Sequence, residues 1–462
     1  MRILYYNWTP LNVKSTGGGV AVYVHNLIQY ICEKSTDDFD VTFLSSGYYF
    51  DDTKKEVYIR KEETHPIGSY SIINSPVIAP LGCMSYNGYE MLLKDNKLVE
   101  VFDGFIQKYG PFDVVHFQTL EGLSPQVLSL KSKYPNTKFI HSLHDYGCFC
   151  PNVKFWTRGG ENCVLKQGTE DCYRCNIYAG CRPLKSLMVE RNGKKQFRFM
   201  RRMGIGLSLI NRVLFDLRTP LLDKNSIYQS YRKSCVNHIN QYSDVELAVS
   251  NRVKEIAVLY GIRKEKLQVS YIGTKVAEKA MIHCSNTFDG NILTILYMGY
   301  ANKAKGFFFL LDALEHMDES LSKRITVKFA SKIADRHILH RINAIRERFR
   351  SIIIYDGYTH KDFPTIFENV NLGIVPPLWE DNLPQVTIEM IANGIPVITS
   401  NNGGAKELNS HPNFVFIDKE DLIQKIATIY KSPSLLDEYW TYSAKLTTME
   451  AHMTQLLKYY SM

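Results

Sequence analysis

Short apolar runs alternate along this chain with stretches whose apolar residues recur every three or four positions. Runs at residues 3–6, 41–44, 138–143 and 246–250 read as strands, and 113–116 reads as the end of another. After the first run, Val20, Val24, Leu27, Ile28 and Ile31 fall on one helical face. Strand followed by helix, repeated, is the pattern of a parallel sheet. The pattern pauses near residue 272 and restarts with runs at 292–298, 325–330, 352–355, 372–375, 395–399 and 414–417. A helix is expected over 307–314, and another over 435–460 with a tyrosine-rich end. Residues 46–90, rich in Tyr, Ser, Pro and Gly, predict irregular chain. The fold class is therefore α/β, with two Rossmann-like domains at about 1–272 and 273–435 and a tail at 436–462.

The densest chemistry lies in residues 376–407, PPLWEDNLPQVTIEMIANGIPVITSNNGGAKE. Behind a buried strand comes a polar loop with Asp381 and Asn382, and Pro384 suits the first turn of a helix. Val386, Glu389 and Met390 follow at helical spacing, and Gly394 is placed to end the helix. A strand, a tight turn and a helix start present backbone N–H groups and a positive dipole end to a phosphate. Carboxylates accept hydroxyls two at a time. Asp381 before the helix and Glu389 inside it would grip diols on either side of a diphosphate, as a nucleotide sugar requires.

The run from Asp381 to Glu389 resembles the E-x7-E signature of retaining glycosyltransferases of the GT-B fold, particularly the large family 4. Met390 to Ile398 continues like that family's helix and strand, and Gly403-Gly404-Ala405-Lys406-Glu407 resembles its GG-x-x-E. The resemblance implies that Glu389 holds the ribose and that Asp381, standing where Glu is usual and beside Glu380, faces the donor sugar. Gly299-Tyr300-Ala301-Asn302-Lys303-Ala304-Lys305-Gly306 is similar to the family's G-R-x4-K-G, with Lys305 kept and Tyr300 in place of the arginine. That exchange removes a bidentate phosphate fork. Asp356-Gly357-Tyr358 resembles the loop whose backbone stacks on the base, and Asn382, Leu383, Pro384 and Gln385 form the loop at the diphosphate.

In the first half, Gly17-Gly18-Gly19 lies between the first strand and its helix, where glycine lets backbone approach a phosphate. The family's loop there touches the donor phosphate or the acceptor, which marks Gly18 and Gly19. Asp113 to His116 is similar to the family's D-V-V-H, a structural histidine. His144 ends a parallel strand, where such folds bind ligands. The resemblance puts it near the donor sugar and acceptor, while a strand-end histidine tied to a carbonyl is the plain alternative. Val269 to Gly273 is similar to the strand entering the interdomain linker, with Ile272 in place of asparagine, and the GT-B tail is expected to cross back onto the first domain.

Composition adds three points. At 462 residues with 45% apolar content, the chain can build full cores. The net charge of +8 is local: residues 182–233 carry 13 Lys+Arg against 3 Asp+Glu, leaving the rest slightly acidic. Within it, 194–218 interleaves cations with large apolar residues, which suits an anionic membrane face or, equally, a solvated helical insert packed on its domain. No nucleic-acid motif accompanies the charge. Cys172-x-x-Cys175 has metal-knuckle spacing, and Cys150 and Cys163 would complete a structural zinc site, with buried reduced thiols as the alternative. The opening residues read as a strand and not a leader peptide. No apolar run is long enough to span a bilayer, so the expected place is the cytoplasm, at the inner membrane face if 194–218 docks there.

The implied activity is transfer of a sugar from a nucleoside diphosphate sugar to a glycan hydroxyl, lipid-linked, with retention and without a catalytic metal or cofactor. It would serve cell-surface polysaccharide, capsule or lipopolysaccharide synthesis. The catalytic set is His144, Lys305, Asp381 and Glu389. The competing readings are a nucleotide-sugar epimerase or another GT-B enzyme, and a silent glycan-binding partner of the same fold.

Overall fold

A computed structural model describes residues 1–13, 18–34, 39–164, 172–176, 225–280 and 288–462, apart from 52, 55, 64–66, 85, 95, 158 and 334. The basic segment 194–218 and Gly17 lie outside the described residues.

Two sheets organise the chain. The first contains β1 (Arg2–Tyr6), β2 (Asp40–Ser46), β3 (Tyr58–Glu62), β4 (Gly68–Ile73), β5 (Val114–Phe117), β6 (Lys138–Leu143), β7 (Val245–Ala248) and β8 (Leu267–Val269). Its order is β3-β4-β2-β1-β5-β6-β7-β8, parallel except for the β3–β4 pair. The second contains β9 (Leu293–Met298), β10 (Ile325–Ala330), β11 (Ser351–Tyr355), β12 (Leu372–Val375), β13 (Val397–Ser400) and β14 (Val415–Phe416), in the order β11-β10-β9-β12-β13-β14. Every pair in it is parallel. The central strands β1, β5 and β9 are buried on both faces, which is why they read as unbroken apolar runs.

Strand order reverses between β1 and β5 in the first sheet and between β9 and β12 in the second. Crevices at the carboxyl ends of such strands are where α/β sheets bind ligands. The helices that matter are α1 (Gly18–Lys34) after β1, α2 (Asn251–Leu259) after β7, α3 (Phe307–His316) after β9, α4 (Gln385–Ala392) after β12, and α5 (Met449–Ser461) at the end.

Two expectations are corrected. Residues 46–90 are not irregular throughout: β3 and β4 extend the first sheet at its edge. Residues 435–460 are not one helix. A helix over Ser434–Glu438 gives way to a turn, then to extended chain that bridges Asn409 to Ser443 and Thr274 to Thr448, before Thr448 caps α5. Apolar spacing survives the break, so periodicity alone could not reveal it. The return of the tail holds. Tyr460 Oη lies 2.9 Å from Tyr5 Oη and 2.7 Å from His116 Nδ1, and His452 Nε2 lies 2.7 Å from Tyr23 Oη. Met449, Met453, Leu456 and Tyr460 are buried there, each contributing about 2 kcal/mol. His116 is structural, its other nitrogen 2.8 Å from Ser142 Oγ.

Candidate active site

The loops leaving β9 and β12 carry Lys305 and Asp381, so both side chains arrive at one switch point. Glycine makes their meeting close. Gly306, at φ +74°, begins α3, and a Cβ there would lie 1.7 Å from the Pro376 carbonyl oxygen. Leu378 N–H donates to Ala304 O across the same junction (2.9 Å). From the other side Gly403, at φ +68°, approaches so closely that a Cβ would lie 2.1 Å from the Asp381 carbonyl oxygen, which also accepts from Gly404 N–H at 2.8 Å. Held this way, Asp381 forms an ion pair with Lys305 Nζ, and Lys305 lies over the Trp379 ring, 5.3 Å from its centre.

Helix α4 starts one residue later than expected: Pro384 is its N-cap, without a side-chain cap bond, and Gly394 (φ +76°) follows its end as predicted. The uncapped first turn leaves backbone donors for an anion. Gln385 Nε2 donates to the carbonyl oxygen of Gly19 at 2.9 Å, so the starts of α1 and α4, from different sheets, face each other. Asn382 and Leu383 are buried in the loop between Asp381 and this helix.

One turn into α4, Glu389 is mostly buried and bonded to His360 Nε2 at 3.0 Å. Tyr358 stands beside it; burial first, then Glu389 and Tyr300, push the Tyr358 hydroxyl above its ordinary pKa. Tyr300 therefore shares this corner; it is 67% exposed and leaves the site without the arginine fork. Asp356 is committed to structure: its Oδ1 accepts from Ile333 N–H at 3.1 Å and ties the loops after β10 and β11. Gly357 continues that loop at φ +84°.

His144 sits in the first domain at the end of β6. Its Nε2 is 3.0 Å from Gln118 Oε1, and its ring centre is 4.7 Å from that of Tyr23 on α1. Burial, then His452 and His141, push its pKa down to about 3, which favours the neutral imidazole as a hydrogen-bonding group. Through Tyr23 it rests on α1, whose Gly19 meets Gln385.

Sequence reasoning missed the clamp joining the halves. Glu380, beside Asp381, accepts from Arg252 Nε (2.9 Å), Arg252 NH2 (2.8 Å), Asn162 Nδ2 (3.1 Å) and Gly403 N–H (3.0 Å). Burial pushes its carboxyl pKa up, but Arg252 and the other donors outweigh burial and hold it below the ordinary value. Glu407 accepts from the N–H groups of Asn251 (2.8 Å) and Arg252 (2.7 Å) at the start of α2, and from Tyr271 Oη (2.6 Å). The available signal was the doubled acid Glu380-Asp381, where one carboxylate is structural.

Among the described residues no three His, Cys, Asp or Glu side chains stand together to hold a metal; of the expected zinc set, Cys150, Cys163 and Cys172 are buried and Cys175 is half-buried. Burial pushes the Cys150 thiol pKa up, against the opposing effect of the backbone N–H groups of Phe155, Lys154 and Asn152, and Arg232 NH2 lies 3.9 Å from Cys172 Sγ. Nor is any helix among the described residues long and apolar enough to cross a membrane.

Two sheets of Rossmann type, their strand ends turned to one cleft and a terminal helix returned to the first, are the GT-B architecture. The family model described as "Glycosyl transferases group 1" matches residues 279–447, which include Lys305, Asp381, Glu389 and Glu407. Spore coat protein SA of Bacillus subtilis (strain 168) is 29% identical over 121 residues, 25% of this chain; the match spans 32% of that relative's length. The crystal structure of HepE from Anabaena in complex with UDP superposes with a TM-score of 0.60 at 14% identity, covering all of both chains. Sucrose-phosphate synthase from Thermosynechococcus elongatus superposes at 0.58 with 16% identity, covering 100% of this chain and 98% of that one.

Proposed function

We propose that this protein transfers a sugar from a nucleoside diphosphate sugar to a hydroxyl of a glycan acceptor, with retention of anomeric configuration. The observation that carries the reading is that Asp381 and Glu389 flank the uncapped start of α4 while Lys305 pairs with Asp381 and Gly19 faces Gln385. Glu389 grips the ribose, Asp381 a sugar hydroxyl, and Lys305 with the α4 N–H groups the diphosphate. Gly18 and Gly19 close over the phosphates, Tyr300 stands at the diphosphate in place of an arginine, and Gly357 and Tyr358 flank the base.

In the reaction the bond between the anomeric carbon and the diphosphate oxygen breaks. A bond from that carbon to the acceptor oxygen forms on the same face. The acceptor proton passes to the departing diphosphate. Negative charge grows on that diphosphate, and fixed donors aimed at developing charge do more for such catalysis than any other single effect. On this reading Lys305 and the helix start supply the positive charge, without a metal. Neutral His144 bonds a hydroxyl at the sugar. The group 1 match over 279–447 and the UDP and UDP-glucose complexes of HepE support the donor class. A lipid-linked acceptor, in surface polysaccharide assembly at the inner membrane face, is the extension that the basic stretch 194–218 suggests.

The test is a thermal-shift screen against UDP and GDP, followed by incubation of the matching nucleotide sugars with and without lipid-linked acceptors. A product with the donor's anomeric configuration, read by NMR, is expected. A changed sugar without acceptor identifies an epimerase instead. A chain that binds glycan and turns over none of these donors is a binding partner.

A further inference from the structure

Glu389 has an occupant. Its side chain is 12% exposed, and the group bonded to its Oε1 is the Nε2 of His360, at 3.0 Å. His360 opens the short turn His360–Asp362 after β11 and is itself 62% exposed, resting edge-on against Phe363 with ring centres 4.9 Å apart. Beyond that ring, its side-chain partner is the Glu389 carboxylate. The contact has the sense of the bond a ribose hydroxyl would make: one hydrogen donated to one carboxylate oxygen.

We propose that His360 is a displaceable stand-in for a ribose hydroxyl, a specificity-determining residue that the nucleotide must move off Glu389 to bind. This rests on Glu389 being the ribose carboxylate.

The charged neighbourhood makes the competition depend on pH. Glu389 faces His360 from α4, with Tyr358 near that carboxylate and Tyr300 near Tyr358. Lys361 and Asp362 follow His360 in the chain, and Asp362 already accepts from Thr359 N–H and Oγ1 at 2.8 and 2.9 Å. The bond to Glu389 raises the His360 pKa above 6.5, against the pull of burial. A raised pKa means the pair is strongest at low pH and weakens as pH rises through the raised value. Once the nucleotide frees His360, its pKa returns toward its ordinary value, so binding releases a proton in the window between the two. Affinity is lowest below that window and highest above it.

Calorimetry of UDP and GDP binding to the full chain and to His360→Ala, at pH 6 and 8 and in two buffers of different ionisation enthalpy, tests this. The exposure of His360 makes the variant a safe one for folding. The expected result is a variant that binds about fivefold tighter at pH 6, the low end of ordinary coupling between sites, with the gap closing by pH 8 and proton release lost. The diphosphate's own titration is common to both proteins and cancels. Weaker binding by the variant at both pH values, or unchanged proton release, overturns the proposal and leaves the ribose role standing. Failure of both proteins to bind either nucleotide overturns both.

Discussion

The two halves hold their functional side chains in different ways. In the C-terminal half, Lys305 and Asp381 come from neighbouring strand ends and are fixed by backbone packed on backbone at Gly306 and Gly403. In the N-terminal half, His144 is placed by side chains, Gln118 and Tyr23, and Tyr23 is itself held by His452 in the terminal helix. One site is thus rigid because its loops leave no room for a Cβ. The other is assembled through a residue more than 300 positions away in the chain. A donor site that must meet charge at fixed points gains from the first arrangement, since preorganised groups need no reorganisation during reaction. A side placed through the tail can change when the tail does.

The sharpest way to break the contrast is Gly306→Ala. Its Cβ would strike the Pro376 carbonyl from a positive φ, and a loss of about 3–4 kcal/mol is expected, read as a lower midpoint in urea. An unchanged midpoint would mean that this junction is loose. Next comes Glu389→Ala. Loss of a carboxylate accepting two hydroxyls costs about 3 kcal/mol, so nucleoside diphosphate affinity should fall more than a hundredfold by calorimetry with the fold intact. Wild-type affinity would remove the ribose role.

Arg252→Ala probes the join between the halves. It strands Glu380, whose side chain is 4% exposed, but Arg252 itself is 24% exposed, so about 2 kcal/mol of stability is expected to go. Because the folded Glu380 pKa is depressed, the pair's contribution is full above the ordinary glutamate value of about 4.3 and is lost as pH falls through the folded pKa. The gap between wild type and variant in thermal midpoint should therefore close in acid; a gap constant with pH would show that the ion pair is not its source. The smallest effect belongs to Tyr300→Arg. The position is 67% exposed, so the fold should be indifferent, while a guanidinium fork there should tighten nucleotide binding by about 0.5–1 kcal/mol. No change would place residue 300 away from the phosphates.

Much of the donor side was legible because its information is local. Loops that follow strands, a proline before a helix, a glycine after it and carboxylates at fixed spacing lie within a few dozen residues of each other. The loops that carry Lys305 and Asp381 and the helix that carries Glu389 lie where that spacing put them, whereas the Gly19–Gln385 approach joins residues 366 apart and had no local signal. Partners across the chain were not legible. The structure gives Glu380 to Arg252 and Asp381 to Lys305, a choice between adjacent acids that sequence order cannot make. Likewise the cysteine spacing fitted a metal knuckle, and among the described residues no three potential ligands stand together.

What the sequence determined by itself was the alternation of strand and helix, two sheets and a helix start behind Pro384, because periodicity and proline and glycine placement act over one or two turns of chain. Only the tertiary structure decided which carboxylate each cation takes, that Asp356 serves a loop, that His144 stays neutral and that His360 lies on Glu389. Those outcomes depend on burial and on charges brought together from distant positions, and the energy of a charge is set by what surrounds it in space.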